Sequence, residues 1–246
     1  MQLIPVLDIQ NGAVVHAVAG DRSKYQPIQS QLCQGSEPVD VGRALLRASG
    51  SDKLYVADLD ALGGQAVQQS VILELAELGV EIWLDIGLAN AQSGRDWDNL
   101  FSSHVEQIRP IVASETIQTL DSISAIADRL GTGRIVLSLD LYEGKLRSNS
   151  DAIGRLTPLD FANLAVKIGI ESMIVLELSR VGTSSGLTDC DAIGALVGIG
   201  SALNLFWGGG ICHAQDMRIA RDLGFSGVLV ATALHRQAIT QREIST

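Results

Sequence analysis

The sequence is short of aromatic residues, of cysteine and of positive charge, and it has no long unbroken apolar run. Aromatic side chains make up 4% of 246 residues while hydrophobic ones make up 46%, so a large core here has to be aliphatic, built from Leu, Ile, Val and Ala. No apolar stretch reaches the roughly 20 residues that a bilayer-spanning helix needs, which argues against a membrane partner. Cys33, Cys190 and Cys212 are odd in number and lack metal-type spacing, which argues against a disulfide framework and a cysteine metal site. They read as reduced thiols, with Cys212 a small space-filling residue rather than a reactive one. The segment Met1-Gln2-Leu3-Ile4-Pro5 has no basic flank and no cleavage signature, and a cytoplasmic protein is expected. With 18 basic residues against 28 acidic ones the net charge is −10, which argues against nucleic acid as the partner. A phosphorylated small molecule stays compatible, because it needs only local donors. A monomer or small homo-oligomer is expected.

What is present centres on Trp207-Gly208-Gly209-Gly210-Ile211. The apolar run from Leu203 to Trp207 reads as a buried strand, three glycines follow, and a helical pattern starts near His213. Glycine lets backbone approach a ligand closely, and a strand-to-helix glycine turn aims N–H groups at one point, which suits phosphate. One helix later a second strand, Gly227 to Ala233, ends in small residues. This order matches the last two units of a phosphate-binding barrel. A plain tight turn is the alternative.

The rest of the chain alternates in the same way. Strands are expected at 3–9, 53–60, 80–84, 108–113, 134–140, 172–178, 203–207 and 227–233. A short extended piece follows the first strand at 14–18. Helices are expected at 39–49, 67–78, within 91–101, and at 122–130, 158–168, 189–197, 214–223 and 236–246. Two polar loops are long, 19–37 with Arg22, Lys24 and Tyr25, and 142–157 with Lys145, Arg147 and Arg155. Eight strand–helix units imply an α/β fold with a parallel sheet under helical cover: a (β/α)8 TIM barrel forming a single domain over 1–246.

The two halves repeat. Ile4–Gly12 aligns with Val136–Gly144, Tyr55–Leu59 with Ile174–Leu178, Ile82–Gly87 with Leu205–Gly210, and Ile111–Ser114 with Val228–Ala231. Each match is short, but their order is shared, and half-barrels of about 1–132 and 133–246 are expected. Asp8 and Asp140 then occupy equivalent strand ends across the barrel mouth. Opposed carboxylates over a bound molecule suit paired acid–base work. Capping a loop or pairing with a loop arginine is the alternative for each.

With these residues placed, the chain resembles the histidine-biosynthesis (β/α)8 barrel family. It is most similar to the phosphoribosylformimino-5-aminoimidazole carboxamide ribotide isomerases and less so to the sister cyclases. The segments that carry this are Ile4–Val18, Leu54–Gly64, Leu137–Gly144 and Trp207–Ile211. The resemblance implies an aldose–ketose Amadori isomerisation, an intramolecular oxidoreduction by acid–base catalysis on a phosphosugar, with neither metal nor cofactor. It implies Asp8 as base, Asp140 as the fifth-strand carboxylate, and phosphate contacts from Gly208, Gly209, Gly210, Ala231, Thr232, Gly182 and Thr183.

The departures from the family pattern are specific. Where the sixth-strand loop of the isomerases carries its acid, this chain has Val181, which moves no proton. Where the third-strand loop carries a glycine cradle, it has Asp85-Ile86-Gly87, and a carboxylate there repels phosphate. His16 stands where an arginine is expected. Three readings follow: a related enzyme with an altered, smaller or singly phosphorylated substrate, using Asp8 and Asp140 as the cyclases do; the ordinary isomerase with Glu177 or Asp60 as substitute acid; or a non-catalytic metabolite-binding or scaffold barrel.

Overall fold

A computed structural model of the chain describes residues 1–17, 24–183, 186, 194, 196–199, 202–240 and 243. The apolar run broken by Asp8 forms β1 (Gln2–Gln10). It turns at Asn11 and Gly12, both left-handed at φ 50° and 77°, into β2 (Ala13–His16), which carries β3 (Gln26–Pro27) on its other edge. Then come α1 (Pro38–Ser49), β4 (Lys53–Asp58), α2 (Leu59–Leu62), α3 (Gln69–Ala76), β5 (Glu81–Asp85), α4 (Ala91–Phe101) and β6 (Ile108–Ala113). The chain continues through α5 (Leu120–Leu130), β7 (Val136–Tyr142), β8 (Lys145–Leu146), α6 (Asp151–Gly154), α7 (Pro158–Ile168) and β9 (Ser172–Glu177). It ends with β10 (Asn204–Gly208), α8 (Ala214–Asp222), β11 (Gly227–Val230) and α9 (Thr232–His235).

Eight of these strands pair in parallel in the order β1, β4, β5, β6, β7, β9, β10, β11, and β11 returns to β1 with Leu3 opposite Val228. The sheet is a closed (β/α)8 barrel. Helix starts are encoded locally: Asn90 and Thr157 close capping boxes at α4 and α7, and Pro158 takes the first position of α7, where a missing N–H costs nothing. Gly50 and Gly169 end α1 and α7 in the left-handed conformation.

Two apolar clusters hold the barrel. The larger lies between strands and helices and is mostly aliphatic, as composition implies. The smaller fills the interior and contains three of the few aromatics, while Trp97, Phe101, Phe161, Trp207 and Phe225 belong to the larger. Tyr55, Trp83 and Phe206 point inward, and Trp83 meets Phe206 edge-on at 4.8 Å between ring centroids. Gly227 makes room for this plug, since a Cβ there would stand 2.8 Å from the Phe206 ring. The interior is therefore packed below the mouth, and both clusters are mostly aliphatic, as the composition implies.

Several boundaries differ from expectation. The strand expected over 227–233 stops at Val230, because α9 begins at Thr232. The loop at 142–157 contains β8 and α6. Its turn, Glu143–Gly144 with φ 52° and 74°, has the same left-handed pair as Asn11–Gly12. Of the helix expected at 236–246, residues 236–240 are not helical and Gln237 is left-handed at φ 53°, while 241–242 and 244–246 lie outside the described residues. So do most of the helix expected at 189–197, together with Arg22 and Cys190. Among the described residues no helix is long and apolar enough to cross a membrane.

Candidate active site

Parallel strands deliver all their C-terminal ends to one mouth, and a cavity of about 500 Å³ lies there, within the range of small-molecule sites. Its walls divide by strand. Asp8 enters from β1 and Asp140 from β7. Three strands separate β1 from β7 in either direction around the barrel, so the two carboxylates approach from opposite sides.

Asp140 is 3% exposed. Its Oδ1 accepts a hydrogen bond from Ser138 Oγ at 2.7 Å and its Oδ2 one from the Glu115 backbone N–H at 3.1 Å. Burial pushes its carboxyl up to about 7, against those two hydrogen bonds, and the charges of Asp85 and Glu115 push the same way. Desolvation thus dominates, as it does for carboxyls kept protonated near neutrality. Glu115 is itself paired with Arg147, Nε to Oε1 at 3.1 Å.

Tyr55, from β4, lies at the cavity floor. Its hydroxyl donates to Asp85, and its pKa is driven well above the usual tyrosine value by burial first, then by the charges of Asp85, Asp8 and Asp140. One buried phenol therefore senses all three carboxylates. Asp85 also accepts the Gly87 N–H at 3.0 Å.

On the other side, His16 Nε2 and Thr232 Oγ1 are 3.2 Å apart, and His235 Nδ1 is 3.0 Å from Ser30 Oγ. Burial lowers the pKa of both rings. The Arg236 charge adds to the effect on His16, and His16 adds to that on His235, which falls to about 4. Burial thus favours the neutral form of both rings.

The glycine turn after β10 is shaped first by packing. A Cβ on Gly209 would overlap the carbonyl oxygen of Glu177, and one on Gly210 would come within 2.7 Å of the Gly186 carbonyl, with φ 96° and 84° at the two positions. Gly209 and Gly210 line the cavity, joined by Ala231, Thr232 and Gly182. The N–H groups of Cys212 and His213, next along the turn, both donate to Asp216 Oδ2. The entry to α8 thus carries a carboxylate of its own, and the part of the turn facing the cavity is its first half.

Of the residues singled out in sequence, Asp8, Asp140, Gly209, Gly210, Ala231, Thr232 and Gly182 come together around this one space. Of the expected catalytic and phosphate-contacting residues, three do not line it, and neither do Lys24, Lys145 and Arg155 of the long loops. Gly208 is buried in β10 against Leu176. Thr183 is exposed, with its hydroxyl donating to the Arg180 carbonyl. Glu177 is 5% exposed and fully engaged: its oxygens accept the N–H groups of Glu143, Gly144 and Ser179 and the Ser179 hydroxyl. It fixes the β7–β8 turn. Asp60 does comparable work beside the first hairpin, accepting the Asn11 N–H at 2.9 Å. Neither is placed as a substitute acid. Val181 does line the cavity.

Sequence reasoning missed Tyr55 and His235. Tyr55 carries a polar tip inside the apolar run from Leu54 to Val56, which was the available signal; His235 lay between the expected eighth strand and the expected final helix and carried none. Cys212 Sγ donates to the Gly210 carbonyl at 2.8 Å, a turn-stabilising thiol. Among the described residues no group of three His, Cys, Asp or Glu could hold a metal ion.

Comparison with known proteins agrees with this architecture. The family described as histidine biosynthesis protein matches residues 2–240. An uncharacterized protein of Methanocaldococcus jannaschii is 29% identical over 99% of this chain and 97% of its own length. Two similar proteins are named 1-(5-phosphoribosyl)-5-((5-phosphoribosylamino)methylideneamino)imidazole-4-carboxamide isomerase. That of Streptococcus sanguinis is 24% identical over 99% of this chain and 97% of its own length. That of Deinococcus radiodurans is 26% identical over 95% and 93%. With the match running almost end to end over a closed eight-stranded barrel, the chain belongs to the histidine biosynthesis protein family.

Proposed function

We propose that this protein is an aldose–ketose isomerase of the family that acts on a singly phosphorylated sugar derivative, with Asp8 and Asp140 sharing the proton transfers. The observation that carries this reading is the pair itself: two carboxylates from opposite strands on one cavity, in unlike environments. Asp140, buried and raised to about 7, is suited to give a proton to the ring oxygen of an aldose. Asp8, half-buried, is suited to take the proton from C2. These two transfers give a ring-opened enol, and transfer of its O2 proton to C1 completes the ketose, so that protons gained at the ring oxygen and C1 balance those lost from C2 and O2.

The phosphate would sit against the backbone of Gly209, Gly210, Ala231 and Thr232. Asp85, on the other side, disfavours a second phosphate. The ordinary histidine-pathway substrate carries two, which is the reason to place the substrate elsewhere. Complementation tests this: a strain lacking the pathway isomerase should grow poorly or not at all with this protein, and growth at the normal rate would reject an altered substrate.

Val181 on the cavity wall favours a second reading, a metabolite-binding barrel without turnover. The two differ in one measurement. Incubation with candidate sugar phosphates followed by mass-resolved chromatography yields an isomer if the first reading holds, and only unchanged ligand if the second does.

A further inference from the structure

One guanidinium on the cavity wall is aimed by its neighbours but only half used. Arg147 follows β8 and lines the cavity together with Tyr142, Glu115 and Asn149. Its backbone is fastened to the end of β7 and of β6. The Arg147 N–H donates to the Asp140 carbonyl at 2.8 Å, and the Arg147 carbonyl accepts the Ser114 hydroxyl at 3.0 Å. Its side chain is oriented from two sides. Nε donates to Glu115 Oε1 at 3.1 Å, and the guanidinium carbon lies 5.8 Å from the centre of the Tyr142 ring, within the reach of a cation–π contact. Among the described residues the two terminal nitrogens, Nη1 and Nη2, have no hydrogen-bond partner. The side chain of Asn149, on the same wall, has none either, while its backbone N–H donates to the Glu115 carbonyl at 3.4 Å.

A guanidinium fixed through Nε presents its outer pair of nitrogens as a planar fork, and a fork matches the two oxygens of an oxyanion. Orienting the side chain in advance also lowers the entropy lost when a ligand arrives. The Arg147 side chain is 49% exposed, so the fork is reachable from the cavity. Charge decides which oxyanion suits it. Glu115 offsets the arginine locally, so an incoming group gains two hydrogen bonds against the repulsion of one carboxylate. That repulsion doubles between a monoanion and a phosphate dianion.

We infer that Arg147, assisted by Asn149, is a carboxylate-binding subsite at the β7 side of the mouth, and that the substrate carries a carboxylate in addition to the phosphate at Gly209 and Gly210. This rests on the reading of the cavity as a phosphosugar site and narrows it. Only β9 lies between β7 and β10, so the two anion contacts share one side of the mouth and a small ligand can touch both. Tyr142 and Glu115 then act as positioning residues, holding the guanidinium plane with its outer edge open.

Calorimetric titration of the full chain tests the inference at pH 6.5, below the Asp140 value of about 7. Three probes are used: 6-phosphogluconate, glucitol 6-phosphate and fructose 1,6-bisphosphate. The first two differ only at C1, where one has a carboxylate and the other a hydroxymethyl group. The native protein is expected to bind 6-phosphogluconate on the order of tenfold more tightly than either other probe, the scale of one partly screened, hydrogen-bonded charge pair. In Arg147→Gln the advantage over glucitol 6-phosphate should vanish. Equal binding of the first two probes by the native protein overturns the inference and leaves the phosphosugar reading intact. So does a bisphosphate that binds as tightly as 6-phosphogluconate, or a carboxylate preference that survives Arg147→Gln. If Arg147→Gln does not fold, the ranking by the native protein decides alone. Failure of all three probes and of inorganic phosphate to bind overturns the phosphosugar reading, and the inference falls with it.

Discussion

Ser138 Oγ lies 2.7 Å from Asp140 Oδ1, two residues along the same buried strand. That bond lowers the Asp140 pKa while burial raises it, and burial wins at about 7. If protonated Asp140 is the acid, turnover falls as pH rises through about 7. Ser138→Ala removes a contribution that favours the charged form, so the alkaline limb of the rate profile should move upward. A pH–rate profile of the two proteins checks this; a limb that stays in place or moves down contradicts the assignment.

The same group makes a prediction about stability. A carboxyl with an ordinary value of 3.8 in the unfolded chain and about 7 when folded binds its proton more tightly in the native state. Its contribution to stability is fully present below about 3.8 and is lost as pH rises toward 7. Asp140→Asn, which cannot ionise, should therefore be more stable than the native protein at pH 8, by an amount on the order of a few kcal/mol at most. Thermal unfolding at pH 5 and pH 8 measures it, and the gain should be larger at pH 8.

Asp8→Asn should reduce turnover by roughly 10²- to 10⁴-fold, the usual range for a lost general base. Unaltered turnover of whatever substrate is found would remove Asp8 from the mechanism.

Glu177→Gln separates holding a loop from moving a proton. Its carboxylate accepts the N–H groups of Glu143, Gly144 and Ser179. An amide in its place presents an NH2 to some of these donors and should destabilise the chain by about 1–3 kcal/mol. The expected outcome is a lower denaturant midpoint with an unchanged pH–rate profile. A profile that loses one of its limbs would return Glu177 to the chemistry.

Gly209→Ala is predicted to prevent folding or to cost several kcal/mol, since the new Cβ would overlap the Glu177 carbonyl at a left-handed φ of 96°. Gly210→Ala meets the Gly186 carbonyl and should behave alike. Soluble yield and circular dichroism report both. The triple-glycine segment is thus constrained by contact between β10 and the end of β9 before any ligand is considered.

Much of this was legible along the chain because the signals were local. Strand β6 and helices α4 and α7 fall on the expected residues, since apolar runs, capping boxes and Pro158 act within one turn or one strand. Asp8 and Asp140 stood out because a carboxylate inside an apolar run has no packing explanation. The turns Asn11–Gly12 and Glu143–Gly144 share their left-handed geometry at the same offset as the two aspartates. Glu177 was misplaced for the same local reason. It reads, with Asp60, as a substitute for the acid missing at Val181, and only the neighbouring β7–β8 turn, brought close by strand pairing, shows that its oxygens are occupied.

The sequence by itself determined the alternation of eight strands and helices, the glycine turn and the two carboxylates at strand ends, because these follow from periodicity and backbone freedom over a few residues. Tertiary structure alone decided that Tyr55, Trp83 and Phe206 pack together inside the barrel, and that Tyr55, Asp8, Asp85, Asp140 and the glycine turn line one cavity. Each of these depends on closure of β11 against β1, which sets distances between residues far apart in the chain, and on the burial that closure produces.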